Sequence, residues 1–197
     1  VPNGVDLSYF RNPMISRPDG NFLVFTGHMG YGPNVEAVIY FCHHIMPTIL
    51  KKFPDLHLFI VGMHPAPAVL DLEYEFSGNV TVTGAVPDVR PYLSRAVVSI
   101  VPLRNGSGTR LKILEAMAML RPVVSTAIGC EGLAVKNDYH LLIRDDPICF
   151  AQAVIELLGN PMTWDRLARS GRELVEQHYE WNVIARTVAD VWHNLID

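Results

Sequence analysis

The side chains best suited to chemistry lie within residues 104–125, Arg-Asn-Gly-Ser-Gly-Thr-Arg-Leu-Lys-Ile-Leu-Glu-Ala-Met-Ala-Met-Leu-Arg-Pro-Val-Val-Ser. A glycine turn, Gly106-Ser107-Gly108, runs into a segment whose spacing predicts a helix opening with Thr109-Arg110-Leu111-Lys112. Two features of that helix are costly unless something offsets them. Arg110 and Lys112 stand at its N-terminus, where the macrodipole disfavours cations by roughly 0.3–1 kcal/mol each. Glu115 stands within apolar surroundings, residues 113–120, and an unpaired buried carboxylate is expensive. An anionic ligand at the helix start relieves the first cost; a ligand hydroxyl donating to Glu115 relieves the second. Together they point to a phosphate-bearing, polyhydroxyl ligand such as a nucleotide-sugar. A plainer reading stands beside it. The glycines can be only a turn, Ser107 only a helix cap, and Lys112 can pair with Glu115 three positions on, worth a few tenths of a kcal/mol.

The elements that must position these groups follow from hydrophobic spacing. Residues 1–20 are rich in Pro, Asn, Gly and Asp and read as an irregular lead-in. Apolar runs predict strands at 22–26, 56–61, 80–83, 97–101, 123–125 and 141–144. Helical spacing predicts a helix over 34–52, capped by Asn34 and kinked at Pro47. A short helix follows at 88–94, another after Gly108, and three close the chain at 147–158, 162–176 and 182–195. This alternation predicts an α/β fold: a Rossmann-like three-layer sandwich around a mostly parallel sheet of about six strands. The strands are continuously apolar, as central parallel strands are. Ligands of such sheets bind beyond the carboxyl ends of the strands, here at loops 27–33, 62–67, 84–88, 102–109 and 126–133.

Composition closes off several function classes. The chain has 197 residues, 49% hydrophobic and 18% charged, with a net charge of −4. That is globular, with no basic field to attract nucleic acid. Three widely spaced cysteines, Cys42, Cys130 and Cys149, fit no metal or disulfide pattern, and a reducing cytoplasmic setting is expected. Neither a transmembrane run nor a signal peptide is evident, and the opening Val1-Pro2-Asn3-Gly4-Val5-Asp6 reads as a loop excised from a longer protein. The first strand ends in Gly27-His28-Met29-Gly30-Tyr31-Gly32, which lacks the Gly-x-Gly-x-x-Gly fingerprint of dehydrogenases. His43 and His44 read as helix surface or packing, Cys130 as a small packing residue, and Trp164, Trp181 and Trp192 as packing anchors. Arg104 reads either as a phosphate contact or as a solvated loop charge.

With Glu115-Ala116-Met117-Ala118 and Arg121-Pro122-Val123-Val124, the segment 106–125 resembles the donor-binding segment of retaining GT-B glycosyltransferases, and more narrowly the family called glycosyl transferases group 1. Val1-Pro2-Asn3-Gly4-Val5-Asp6 is similar to the linker entering their C-terminal domain, and Gly84-Ala85-Val86-Pro87-Asp88-Val89 to the loop facing the nucleotide base. Phe25-Thr26-Gly27, Pro33-Asn34 and Thr109-Arg110-Leu111-Lys112 most resemble members that build bacterial surface polysaccharides. The resemblance implies a lead-in over 1–20, a donor-binding domain over 21–180, a crossing helix over 181–197, and an N-terminal acceptor domain outside this chain. It implies transfer of a sugar from a nucleotide-diphosphate sugar to an unidentified glycan or lipid-linked glycan, with no metal and no cofactor beyond the donor. It also implies a cytoplasmic setting, membrane-peripheral where the N-terminal domain makes it so.

Residue by residue, the resemblance assigns Glu115 to the ribose hydroxyls, and Gly108 and Thr109 to the sugar and diphosphate. Gly27, His28 and Leu111 line the donor, and Val86 and Pro87 face the base. Two departures stand out. The first glutamate of the family's pair falls on Ser107, eight positions before Glu115. The basic clamp after the first strand falls on His28 and Pro33, which leaves Arg110 and Lys112 to replace it. Ser107, Arg110 and Lys112 are thus the candidate catalytic residues. Two alternatives remain open: a nucleotide-sugar 2-epimerase-type isomerase, and a non-catalytic nucleotide-sugar binding domain.

Overall fold

The computed structural model describes residues 3–11 and 16–196. Six strands form one sheet: β1 Phe22–Thr26, β2 His57–Val61, β3 Val80–Gly84, β4 Val98–Val101, β5 Val123–Ser125 and β6 Leu142–Ile143. Their order is β3-β2-β1-β4-β5-β6, and every pairing is parallel. Parallel strands must be crossed over by helices, which cover both faces of the sheet and bury the strands. β4 and β5 are accordingly buried throughout, whereas the edge strand β3 alternates, with Val80 and Val82 inside.

The helices are α1 Gly32–Tyr40, α2 Met46–Leu50, α3 Pro67–Glu75, α4 Arg90–Arg95, α5 Leu111–Ala118, α6 Pro147–Gly159, α7 Pro161–His178 and α8 Trp181–Ile196. α2 packs on α6, and α1 on α3, while α5 packs on α7. α6 and α7 have side-chain caps, Asp146 and Asn160, each accepting two backbone N–H bonds.

Several elements differ from expectation. Asn34 is not the N-cap of the first helix. Tyr31 holds that position, and Asn34 is buried inside the first turn. The expected kink at Pro47 is a π-helical turn, Phe41–Ile45, just before it. Proline lacks an N–H and its ring crowds the carbonyl four residues back, so the ladder shifts to the wider spacing, with the Met46 N–H donating to the Phe41 carbonyl. α3 occupies a stretch where no helix was expected, because its nine residues carry only Val69 and Leu72 as a buried face. The helix after the glycine turn begins at Leu111, with Arg110 as its N-cap, so neither Ser107 nor Thr109 opens or caps it. The lead-in is tied down at several points: the Val5 N–H donates to the Tyr179 carbonyl at 2.8 Å and Val5 bridges Glu180, Arg90 Nη1 donates to the Tyr9 carbonyl at 3.0 Å, and Arg17 Nη2 donates to the Leu158 carbonyl at 2.7 Å.

The Trp164 ring is an anchor, as expected. It is buried, and its Nε1 donates to the Val97 carbonyl at 2.7 Å. Trp181 and Trp192 are not. They are 48% and 66% exposed on α8, where Val188 is exposed too and Ile184 is buried. The Val191 and Leu195 side chains lie outside the described residues. A second anchor is Arg121, fully buried beneath Trp164 with its guanidinium 5.4 Å from the ring. Its Nε and Nη1 donate to the Met119 and Ala96 carbonyls, and burial pushes the guanidinium down to about 10. Arg121 therefore locks the end of α5 to the segment entering β4, at the opposite end of the helix from the glycine turn.

Candidate functional site

The chain runs outward from β1 through β2 to β3, then returns to place β4 on the other side of β1. This reversal opens a crevice beyond the carboxyl ends of β1 and β4, the place where doubly wound sheets bind ligands. Its first wall is the loop after β1. Gly62, which follows β2, lies so close that a Cβ there would fall 1.6 Å from the Gly27 carbonyl oxygen. Its second wall is the turn before α5. Gly106 and Gly108 have φ of +105° and +107°, and a Cβ on Gly106 would meet Pro33 at 2.9 Å. Glycine is needed there for backbone conformation and for close packing alike.

Between these walls lies a cavity of about 380 Å³ lined by Gly27, His28, Val86, Thr109, Leu111, Lys112 and Glu115, together with Gly62, Met63, Ala85 and Val89. Seven of the residues singled out from sequence thus share one space. A second cavity of about 250 Å³ lies across the turn, lined by Gly108, Thr109, Arg110 and Glu131 among others. Thr109 borders both. Ser107 and Pro87 are exposed and border neither.

The two cations therefore part company. The Lys112 ammonium reaches across to the first loop, where Nζ donates to Asn34 Oδ1 at 2.8 Å and sits 4.0 Å from the centre of the Phe25 ring. Asn34 Nδ2 in turn donates to the His28 carbonyl at 3.0 Å. A Cβ on Gly27 would lie 3.0 Å from Nζ, so the missing side chain there makes room for the ammonium. The Lys112–Glu115 pair of the plainer reading does not form an ion pair among the described residues; the ammonium takes the Asn34 contact instead. Desolvation pulls Lys112 down to about 7, with Arg110 pulling the same way and Glu115 opposing. Burial pushes Glu115 up from the usual carboxylate range, with Lys112 opposing. Among the described residues no protein group donates to the Glu115 carboxylate, which faces the larger cavity.

Arg110 turns the other way. Its Nη2 donates to the Gly106 carbonyl at 3.2 Å and lies 3.5 Å from Glu131. Arg104 is occupied on the outer surface, 3.8 Å from Glu36 and over the Tyr40 ring. His28 Nδ1 accepts the Gly30 N–H at 3.2 Å, and its ring lies 5.3 Å from that of His64. Cys130 is a buried packing residue whose thiol burial pushes up. His43 and His44 are exposed on the π turn, where His43 meets Glu75. No group of three or more His, Cys, Asp or Glu converges on a metal-sized site among the described residues.

Asn34, Phe25 and Gly62 are the members of the site that sequence reasoning missed. The only trace of Asn34's part was its place one residue after Pro33 at the start of a helix. Nothing in spacing alone pairs it with a lysine 78 positions away.

Fold and crevice together define a Rossmann-like α/β domain with the fold of GT-B glycosyltransferase domains and a polar cleft at its topological switch point. Residues 20–160 match the family described as glycosyl transferases group 1, and the chain belongs to that family. It is 25% identical over 164 residues to an uncharacterized 44.6 kDa protein in the cps region of Klebsiella pneumoniae, covering 80% of this chain and 42% of that protein. It is 24% identical over 208 residues to a phosphatidyl-myo-inositol mannosyltransferase of Mycobacterium tuberculosis, covering 99% and 53%. The chain thus spans about half the length of the curated relatives it matches. Among solved structures, a glycosyltransferase from Rickettsia africae superposes with a TM-score of 0.81 at 15% identity, over 99% of this chain and 56% of that one. Alr3699/HepE of Anabaena, in complex with UDP and glucose, superposes with a TM-score of 0.75 at 14% identity, over 98% and 56%.

Proposed function

We propose that this chain is the donor-binding domain of a retaining glycosyltransferase that moves a sugar from a nucleotide-diphosphate sugar to a glycan or lipid-linked glycan. The observation that carries the reading is the half-buried Glu115 carboxylate, which no described protein donor satisfies and which opens into the larger cavity. Ribose hydroxyls supply the donors it lacks. Ala85, Val86 and Val89 give that cavity an apolar side fit for the face of a base. From there a diphosphate extends to Thr109 and the start of α5, where the macrodipole favours anions.

Lys112 is the cation of this site. It takes over the charge that His28 and Pro33 no longer bring to the first loop, whereas Arg110 faces the other cavity. Catalysis in such a cleft is electrostatic: backbone N–H groups and the ammonium stabilise charge building on the departing diphosphate. Ser107 stands on the exposed turn between the two cavities, in reach of the transferred sugar. Acceptor binding and exclusion of water belong to a second domain, so the isolated chain binds donor without transferring it. The UDP and glucose bound to Alr3699/HepE support a nucleotide-sugar ligand. The relative in the cps region supports a part in surface polysaccharide synthesis.

Titration calorimetry of UDP and GDP into the chain and its Glu115→Gln variant tests the reading. The substitution should cost roughly 1.5–3 kcal/mol of affinity, the worth of hydrogen bonds to a charged group, with no loss of thermal stability. Equal affinity in both proteins, or no binding to either, refutes it.

A further inference from the structure

The smaller cavity holds a cation that the nucleotide crevice does not use. The Arg110 side chain is only 6% exposed. Its one hydrogen bond to protein is the 3.2 Å contact from Nη2 to the Gly106 carbonyl, and its Nε is buried with no acceptor among the described residues. The counter-charge is Glu131, at 3.5 Å, but that residue's side chain is 73% exposed. Arg110 is also the N-cap of the eight-residue α5, so the helix dipole adds to the positive potential. The idle Nε has no exposed surface, so an anion in the cavity would pair with the Nη2 that now faces Glu131. A buried cation whose counter-charge is a solvated carboxylate able to swing away is an arrangement completed by an anion. Asn3 and the Tyr179 ring border the same space.

We propose that this cavity is a second ligand site, separate from the nucleotide crevice, for a small molecule bearing a phosphate or carboxylate group. Arg110 holds the anion, and Glu131 occupies its place when the site is empty. At about 250 Å³ the cavity is below the usual range for drug-sized ligands. It suits inorganic phosphate or the anionic end of a small phosphorylated or acidic sugar, and it has no room for a second nucleotide. Because Thr109 borders both cavities, occupancy of one alters the wall of the other, and any coupling of affinities must be reciprocal.

Inorganic phosphate titrated into the chain, followed by backbone amide shifts, tests the site with no assumption about nucleotides. Saturable shifts at Gly108, Glu131 and Gly132 are expected. They should vanish in Arg110→Met and persist in Lys112→Met. Glu131→Gln, an exposed change that spares the fold, should tighten phosphate by about 3-fold by removing the competing charge. In protein saturated with UDP the same shifts should remain. Shifts that survive Arg110→Met in a folded protein, weaker binding in Glu131→Gln, or the absence of saturable shifts overturn the proposal. Displacement by UDP also overturns it, because the phosphate would then be reading the donor's own diphosphate position. Failure of UDP to bind at all would refute the donor-site reading and leave this titration decisive on its own.

Discussion

Lys112 gives the sharpest prediction, because stability and binding should respond to its loss in opposite directions. Its fall from 10.5 to about 7, at 1.36 kcal/mol per unit, corresponds to an apparent cost on the order of 5 kcal/mol. The charged hydrogen bond to Asn34 returns roughly 1.5–3 kcal/mol and the Phe25 ring about 0.5–1 kcal/mol. Lys112→Met should therefore stabilise the chain by roughly 1–3 kcal/mol at pH 6, a rise in Tm of about 2–10 °C for a domain of this size. The sign follows from the depressed pKa. Below pH 7 the folded chain carries a poorly solvated ammonium and the full cost is present. Between about pH 7 and 10.5 the folded state sheds the proton before the unfolded state does, so wild type gains stability and the variant's advantage shrinks. Binding runs the other way. UDP affinity should drop by about 10–100-fold in the variant, and the loss should shrink with added salt. In wild type, affinity should weaken as pH rises above about 7, with a proton taken up on binding. Differential scanning at pH 6, 7.5 and 9, with calorimetry in two buffers of different ionisation enthalpy, measures all of this. A variant that is less stable at pH 6 by an amount independent of pH, and binds UDP as wild type does, would refute the placing of a strained cation in the donor crevice.

Three further outcomes are expected. Gly62→Ala should destabilise the domain by at least about 3 kcal/mol in urea unfolding, since its Cβ has nowhere to go but into the Gly27 carbonyl. Trp164→Phe should cost about 1–3 kcal/mol by stranding the Val97 carbonyl and uncovering Arg121. Trp192→Ser, at a ring that is 66% exposed, should shift stability by no more than about 0.5 kcal/mol in the same assay.

The strand pattern was legible because continuously apolar runs such as Leu58-Phe59-Ile60-Val61 have little option but a buried parallel sheet. Most of the crevice was legible too, since Gly27, Val86, Lys112 and Glu115 lie at strand ends or at a helix start, where the fold class alone directs attention. What escaped was long-range pairing. Asn34 was read by local rules as a cap, yet its amide serves a lysine brought near only by the crossing of β1 and β4. Sequence reading leaves Arg110 and Lys112 as candidates for one role, although residues two apart on a helix point roughly 200° apart; local spacing does not say which of the two faces the first loop. α3 escaped for a different reason. An exposed helix on the sheet margin needs few apolar residues, and Pro67 at its start reads as easily as a loop.

The π turn at Phe41–Ile45 has a consequence for the distant crevice. It holds one more residue than an α-helical path between the same ends would need. Each residue of an α-helix advances the side-chain direction by about 100°. Closing 41–45 as a regular α-helix with every residue kept would therefore rotate everything upstream by that angle against the α2 and α6 packing. Asn34 would swing off Lys112, and the first-loop wall would lose its hold on the ammonium, although the π turn lies well along the helix from both. The extra residue acts as a phase setting: it allows the buried faces on either side of Pro47 and the polar contact at the helix start to be satisfied at once. Removing one residue from 41–45, by contrast, should close an α-helix between the same ends and leave the Asn34–Lys112 contact in place.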